Sequence, residues 1–356
     1  MTTYAWPTSR HFMPATHELR VIDNTQRTAE SSLSGYVQTT AMPGARWGWG
    51  MDFTPHTQAQ RAELEAYLLR LSGRQHRVQL WDLRNPRPRG NIRLTGVTLG
   101  ASAAQFATSL TLAGCRTGVN LLTYPQQFDN AAWQKSSATV TPNTDVAPDG
   151  TTTADTLQAT ALSGVFQYVS VTPGSQYTFS WYAKRSADTD VAYRIYNDTN
   201  NSDIVASTSY YSSISSGAWT RMQVTFTPPA GCLNVRVYPC AYRTGAAHGV
   251  IAWGAQLEVG STASTYAGLA TLLAGDWLGL SNGQLVRVVA DATATEAGAM
   301  TVEVRHMLRA ALSSGAAVTL DKPTALYVRT EAGLAMPRMP GVVESGMSID
   351  LVEVFA

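Results

Sequence analysis

The sequence predicts a mainly β protein: a β-barrel or sandwich with one α-helix, interrupted by an inserted antiparallel β-sandwich. Three observations carry this expectation. With 115–267 removed, the segment ending at Gly114 (AQFATSLTLAG) runs on into the one starting at Gly268 (GLATLLAGDWLGL) in the same idiom. The 356-residue chain is rich in Thr, Ser, Gly and Ala and only 14% charged, which favours strands over helical bundles. At this length a single core ordinarily splits into two domains. The domains are therefore expected at 1–114 plus 268–356, and at 115–267.

Residues 1–53 read as short extended pieces, LRVIDNT, GYVQTTA and RWGWGMDF, separated by Gly, Pro, Ser and Asn turn formers. Thr54 and Pro55 then supply an N-cap and a first-turn proline. Leu64, Tyr67, Leu68 and Leu71 recur at i, i+3, i+4 and i+7 before Gly73. This predicts one amphipathic helix over about 55–72, with Arg61 and Glu65 paired on its solvent side. HRVQLWDL returns to alternation, with Val78, Leu80 and Asp82 on one face, and NPRPRG breaks it.

After the insert come GDWLGL, QLVRVVA, MTVEVRH, AAVTLD, ALYVRT and MSIDLVEVFA, each strand-like. In the last, Met347, Ile349 and Leu351 alternate with polar residues, and then Val352 and Val354 become the apolar set. That change of phase predicts a β-bulge near Leu351 or a strand end covered on both faces.

The insert holds at least five strand-like segments, GVFQYVSV, QYTFSWYAK, DVAYRIYND, WTRMQVTFTP and LNVRVYPCAY, and no helical period of useful length. Their spacing, with Gly, Pro, Ser and Asn between them, predicts an antiparallel sandwich of the jelly-roll kind.

Net charge is +1, and between Val119 and Ala267 there are 7 Lys and Arg against 9 Asp and Glu, leaving 19 and 16 for the flanks. Neither part is a polyelectrolyte, so nothing here calls for nucleic acid or an anionic membrane. The one basic run, Arg77, Arg84, Arg87, Arg89 and Arg93, is broken by prolines and glycine, with Trp81 the lone aromatic able to stack a base. Salt links between subunits, or plain solvation, are expected of it rather than direct nucleic-acid binding. No stretch approaches the 18 or so apolar residues of a spanning helix, so no membrane insertion is expected. The N-terminus lacks the apolar core of a secretory leader, which points to synthesis and folding in a cytoplasm. Cys115, Cys232 and Cys240 form an odd set without CxxC spacing. Reduced thiols are expected, the run between Cys232 and Cys240 spanning about 26 Å if extended.

For chemistry, Gly279-Leu280-Ser281-Asn282-Gly283 matches GxSxG, but a nucleophile elbow needs a following helix. Here the β-branched QLVRVVA follows, and Asn282-Gly283 signals a hairpin. The six histidines stand singly, with no HxxxH or HExxH pair, so metal catalysis is not expected. Insert carboxylates gather loosely at Asp145, Asp149 and Asp155 and at Asp188, Asp190, Asp198 and Asp203; the separation that a glycosidase pair needs is not readable from them. No cofactor is expected beyond one structural Ca²⁺, for which Asp149 and Asp155 with backbone carbonyls are the candidates.

Written in period two, the insert strands put Phe179, Trp181, Tyr193, Ile195, Val235 and Val237 on one face, and Tyr182, Arg194, Tyr196, Arg236 and Tyr238 on the other. The first set predicts the core. The second offers flat π-faces and guanidinium forks, which suit sugar rings and their hydroxyls. Capping a sandwich edge, or packing against a neighbouring subunit, explains the same residues.

Through NLLTYPQQFDNAAWQK (Asn120–Lys135), APDGTTTADTL (Ala147–Leu157), YTFSWYAK (Tyr177–Lys184) and WGAQLEVGSTASTY (Trp253–Tyr266), the insert resembles carbohydrate-binding jelly-roll modules of the type spliced into phage structural proteins. The resemblance implies glycan binding. The flanks resemble distal tail proteins of long-tailed phages through MPGARWGWGMDF (Met42–Phe53), the following helix, WDLRNPRPRG (Trp81–Gly90), AGDWLGLSNGQLVRVVADAT (Ala274–Thr293) and LDKPTALYVRT (Leu320–Thr330). Such proteins form a ring, commonly six-fold, between tail tube and tip hub. The combined expectation is a non-enzymatic virion protein at the tail tip, made in a bacterial cytoplasm. Its partners would be its own copies in a cyclic hexamer, the tail tube protein, the tail-tip hub protein and host cell-surface polysaccharide. Two alternatives are a tail-borne glycan-degrading enzyme, which needs a carboxylate pair across a cleft, and a trimeric tail-fibre adhesin, which needs heptads or β-helix repeats that the sequence lacks.

Overall fold

The computed structural model describes residues 1–22, 26–30, 37–41, 44–53, 56–188, 190–243, 248–331, 343–344 and 347–355. The chain is mainly β and divides into two compact units, Met1–Cys115 with Thr271–Thr293 and Ala299–Ala356, and Arg116–Ala270 with Ala294–Gly298. The second unit thus extends to Ala270 and takes in a short return, 294–298, that the sequence division leaves with the flanks.

In the first unit, one six-stranded sheet runs Thr3–Ala5, Arg77–Leu80, Ala325–Arg329, Met347–Glu353, Arg46–Phe53, Thr16–Ile22. Only its first pair is parallel. A second sheet runs Val318–Thr319, Trp277–Leu280, Leu285–Val288, Met300–Arg305, Ser109–Ala113, Thr98–Leu99. Trp47, Trp49, Met51 and Phe53 from the first sheet pack with Trp277 and Leu285 from the second in one apolar core. The Trp47 indole donates to the Leu285 carbonyl at 2.9 Å, which satisfies its buried N–H.

The helix spans Gln58–Arg70 and packs Leu64, Tyr67 and Leu68 into that core, with its C-cap residue Leu71. Each fully buried leucine contributes about 1.5–3 kcal/mol of transfer free energy. The helix begins later than its sequence suggests. Thr57 is the N-cap, its hydroxyl accepting the Gln60 amide while the Gln60 side chain accepts the Thr57 amide. Thr54 and Pro55, expected as cap and first-turn residue, lie outside the described residues, as do 23–25 of LRVIDNT, 35–36 of GYVQTTA, 42–43 of MPGARWGWGMDF and the final residue of MSIDLVEVFA. Arg61 and Glu65 do pair, at 2.8 Å, but the Arg61 side chain is 3% exposed: the expected solvent-side pair is buried. A helix lying on a sheet buries more than its apolar stripe, and an ion pair one turn apart can share that burial.

Of the two readings of the phase change, the bulge near Leu351 is absent. Met347–Glu353 alternates without interruption, pairs in continuous register with Arg46–Phe53, and turns Glu353 inward after Leu351. A half-buried arginine partner supplies the reason. Arg309 donates from Nη1 and Nη2 to the two Glu353 oxygens at 3.0 and 2.7 Å, and the Trp47 amide adds a third bond at 3.1 Å. The GLSNG segment is a hairpin: Gly279 is in register with Leu285, the Leu280 amide donates to the Gln284 carbonyl, and Gly283 turns at φ +78°.

The second unit is an antiparallel sandwich of Gln134–Asp145, Ala154–Ser170, Tyr177–Arg185, Ala192–Asn197, Ser202–Ser209, Thr220–Phe226, Asn234–Ala241 and His248–Val259. All five strand-like segments of the sequence are among these; three strands are additional, His248–Val259 together with SATVTPNTD and SDIVASTS, the Ser, Thr and Asp content of the last two hiding the strand pattern. Ala154–Ser170 belongs to both layers. Its first part, Asp155–Ala159, pairs with His248–Val259, and its last part, Gly164–Ser170, pairs with Asn234–Ala241. Gly164 makes the passage at φ +150°, where a Cβ would stand 2.2 Å from the Cys240 carbonyl oxygen. One layer then continues through Tyr177–Arg185 and Thr220–Phe226, the other through Ala192–Asn197 and Ser202–Ser209. Phe179, Trp181, Ile195, Val235 and Val237 fill the space between them, with Tyr193 packed against that core. The three cysteines are free and buried.

Candidate functional site

The outward face of the layer Gly164–Ser170, Asn234–Ala241, Ala192–Asn197 carries four of the five residues singled out above. Arg236 lies opposite Tyr168 on one side and Tyr196 on the other; Arg194 lies opposite Tyr238. Because period two sets side chains of successive strands on a common face, these registers stack guanidinium against ring. The Arg236 guanidinium carbon is 5.1 Å from the ring centroids of both Tyr168 and Tyr196 and 5.3 Å from that of Phe166. The Arg194 carbon is 4.5 Å from Tyr196 and 5.8 Å from Tyr238. Each contact is an attraction of about 0.5–1 kcal/mol at such partly exposed positions.

Both cations are balanced locally. Arg194 Nε donates to Asp203 Oδ1 at 2.5 Å, and Arg236 Nη2 donates to Asp198. The face is therefore a row of alternating rings and ion pairs with no net charge. Exposure along it is uneven: Phe166 is 4% and Tyr238 1% exposed, whereas Tyr168 is 49% exposed. Tyr238, expected as a contact residue, is the floor of the site, with its ring 4.7 Å from that of Phe166.

Tyr168 and Phe166 were not among the expected contact residues. Their signal is present in GVFQYVSV, where they alternate with Val165, Gln167 and Val169. Sequence alone did not show that this strand is the neighbour of Asn234–Ala241.

Tyr182 does not join the other four. It sits on Tyr177–Arg185, in the opposite layer, and turns away from the shared core toward Trp253 at 5.7 Å and Tyr266 at 6.3 Å. Residues 260–267 close over that side, held where Glu258 accepts the Ser264 amide at 2.8 Å and the Ser264 hydroxyl at 2.7 Å. The period-two pattern tells which residues share one side of a strand. It does not tell to which layer the strand belongs.

The two aspartates considered for Ca²⁺ hold the backbone. Asp155, 1% exposed, accepts the Phe128 amide at 2.7 Å and the Asn143 amide at 2.9 Å. Burial pushes its carboxyl above the usual aspartate range against the pull of these two donors. Asp149 accepts the amide and hydroxyl of Thr151 in an exposed turn. Among the described residues no three His, Cys, Asp or Glu side chains gather into a metal-sized group. A second carboxyl is raised: Glu296, on the 294–298 return, is pushed up to about 7 by burial, opposed by the Gln126 amide and the Arg116 charge.

Residues 123–241 match the family described as carbohydrate binding domain, so the second unit carries a domain of that kind, and the ring and guanidinium face lies within the matched residues. No curated protein matches the sequence. Among solved structures, the enzymatically active domain of bacteriophage CBA120 tailspike protein 4 is similar at 17% identity and a TM-score of 0.29, over 40% of this chain and 22% of that one. The xylan-binding domain of Paenibacillus barcinonensis Xyn10C is similar at 16% identity and a TM-score of 0.29, over 40% of this chain and 96% of that one. The C-terminal family 22 carbohydrate-binding module of Clostridium thermocellum Xyn10B is similar at 13% identity and a TM-score of 0.30, over 41% and 97%.

Proposed function

We propose that the second unit contacts glycan through the Tyr168, Arg236, Tyr196 and Arg194 face, and that the first unit is the ring-forming part of a phage tail tip. The observation that carries the first half is a half-exposed tyrosine beside an arginine and aspartate pair, inside residues that match a carbohydrate-binding family. An aromatic plane accepts the C–H side of a sugar ring, and an adjoining guanidinium and carboxylate offer donors and acceptors to neighbouring hydroxyls. Asp198 and Asp203 are both engaged with arginines, which favours contact without cleavage. The ring reading rests on the likeness of the flanking segments to distal tail proteins; there, copies of this chain would close a cyclic hexamer between the tail tube and the tip hub. Host cell-surface polysaccharide is then the ligand, and several copies on one ring would raise weak single-site binding by about 10²- to 10⁴-fold.

Two measurements test this. The full chain on a glycan microarray should bind members of the panel without releasing reducing ends, and Tyr168→Ala should lose that binding with its circular dichroism unchanged. Retained binding by the variant assigns this face to packing, and released sugar makes the protein an enzyme. Electron microscopy of tailed particles decorated with an antibody to this chain should place the label on a six-fold ring at the tail tip; label on three-fold fibres would favour the adhesin instead.

A further inference from the structure

We infer that the face takes a single pyranose unit, as at a chain end or a side branch, and does not track along a polysaccharide. This rests on the glycan-contact reading above. A site that follows a chain needs a platform for each successive sugar. Here Tyr168, at 49% exposure with one guanidinium 5.1 Å from its centroid, is the one ring that is half exposed among the described residues of the face. Phe166 and Tyr238 lie beneath the surface, and Tyr196 is less exposed than Tyr168 and carries two guanidiniums, at 4.5 and 5.1 Å, where Tyr168 carries one.

No second platform follows Tyr168 in the directions its sheet allows. Two residues on along the strand, the Ser170 hydroxyl donates to Asn234 Oδ1 at 2.9 Å; two residues back stands buried Phe166, and beyond it Gly164, which has no side chain. Across the sheet comes Arg236, tied to Asp198. What borders the ring is thus one cation and one anion, enough to bracket an adjacent pair of hydroxyls on the sugar stacked over Tyr168. Asp198 is a positioning residue in this arrangement: it holds the guanidinium beside the ring, and its own amide is fixed to the Asn234 carbonyl at 3.0 Å.

The test is isothermal titration and NMR titration of the full chain with methyl glycosides of glucose, galactose, mannose, xylose and rhamnose, and with their linear oligomers of up to about six units. For whichever sugar binds, affinity should change less than about threefold from monomer to longest oligomer. Tyr168→Ala should weaken it at least tenfold, Tyr168→Phe should retain it, and Tyr182→Phe in the opposite layer should leave it unchanged. A gain of tenfold or more with chain length overturns the single-unit inference while the glycan reading stands. Binding by no member of the panel, monomer or oligomer, overturns both.

Discussion

Arg309 and Glu353 are joined by two parallel hydrogen bonds, and the carboxylate they enclose is 1% exposed. A charge so placed is tolerable only with its partner, because removing one member leaves the other desolvated and unpaired. Arg309→Met, which leaves the buried carboxylate unpaired, should therefore cost the first unit about 3–5 kcal/mol in urea unfolding. Replacing both residues, as Arg309→Met with Glu353→Leu, should recover most of that loss. A double variant as unstable as the single one would show that the pair itself, rather than the orphaned charge, carries the stability.

Glu296→Gln should act in a pH-dependent way. With a folded value of about 7 against an ordinary 4.5, the wild-type carboxyl binds its proton more tightly when folded. Its stabilising contribution is complete below the unfolded value and is lost as pH rises through 7. The amide mimics the protonated form at every pH. The variant should match wild type at pH 4 and exceed it at pH 8.5 by on the order of 1–2 kcal/mol, a rise of roughly 2–4 °C in Tm per kcal/mol. A difference between the two proteins that does not vary with pH would refute the assignment.

Thr57→Ala removes the hydroxyl that accepts the Gln60 amide and so half of the reciprocal cap. The expected loss is about 1 kcal/mol, and Thr57→Ser should restore it. If the helix began at the proline seen in the sequence, neither change would register.

Asp198→Asn together with Asp203→Asn should leave Arg194 and Arg236 on the outer face without their counter-charges. The fold should survive, since these are surface pairs worth about 1 kcal/mol or less each. Binding to neutral sugar should weaken as the Arg236 side chain loses its anchor, while retention on a polyanionic resin at low salt should increase. Unchanged behaviour in both assays would mean that the rings alone hold the guanidiniums.

The parts of this structure that were legible in the sequence depend on neighbours along the chain. Leu64, Tyr67 and Leu68 announce a helix by their spacing, and Phe179, Trp181, Ile195, Val235 and Val237 announce the inner faces of strands by alternation. What stayed hidden depends on partners distant in sequence. Glu353 reads as an outward charge until Arg309 is seen beside it, and Arg61 reads as solvated until the helix is laid on its sheet. The site shows the same division. Arg194, Tyr196 and Arg236 were found by alternation, but Tyr168 became visible only through its register with Arg236, and Tyr182 left the group because its strand lies in the other layer.

The strand that bears Tyr168 also has a mechanical consequence. Ala154–Ser170 is hydrogen-bonded to Asn234–Ala241 at one end and to His248–Val259 at the other, with Gln134–Asp145 alongside Ala154–Phe166. A pull directed along this strand would load its hydrogen bonds in shear, so that they share the force instead of opening one after another. Tension would pass through Gly164 from one layer into the next. Ala154–Ser170 is thus the strand that couples the two layers, and Tyr168 lies near its end, paired with Asn234–Ala241.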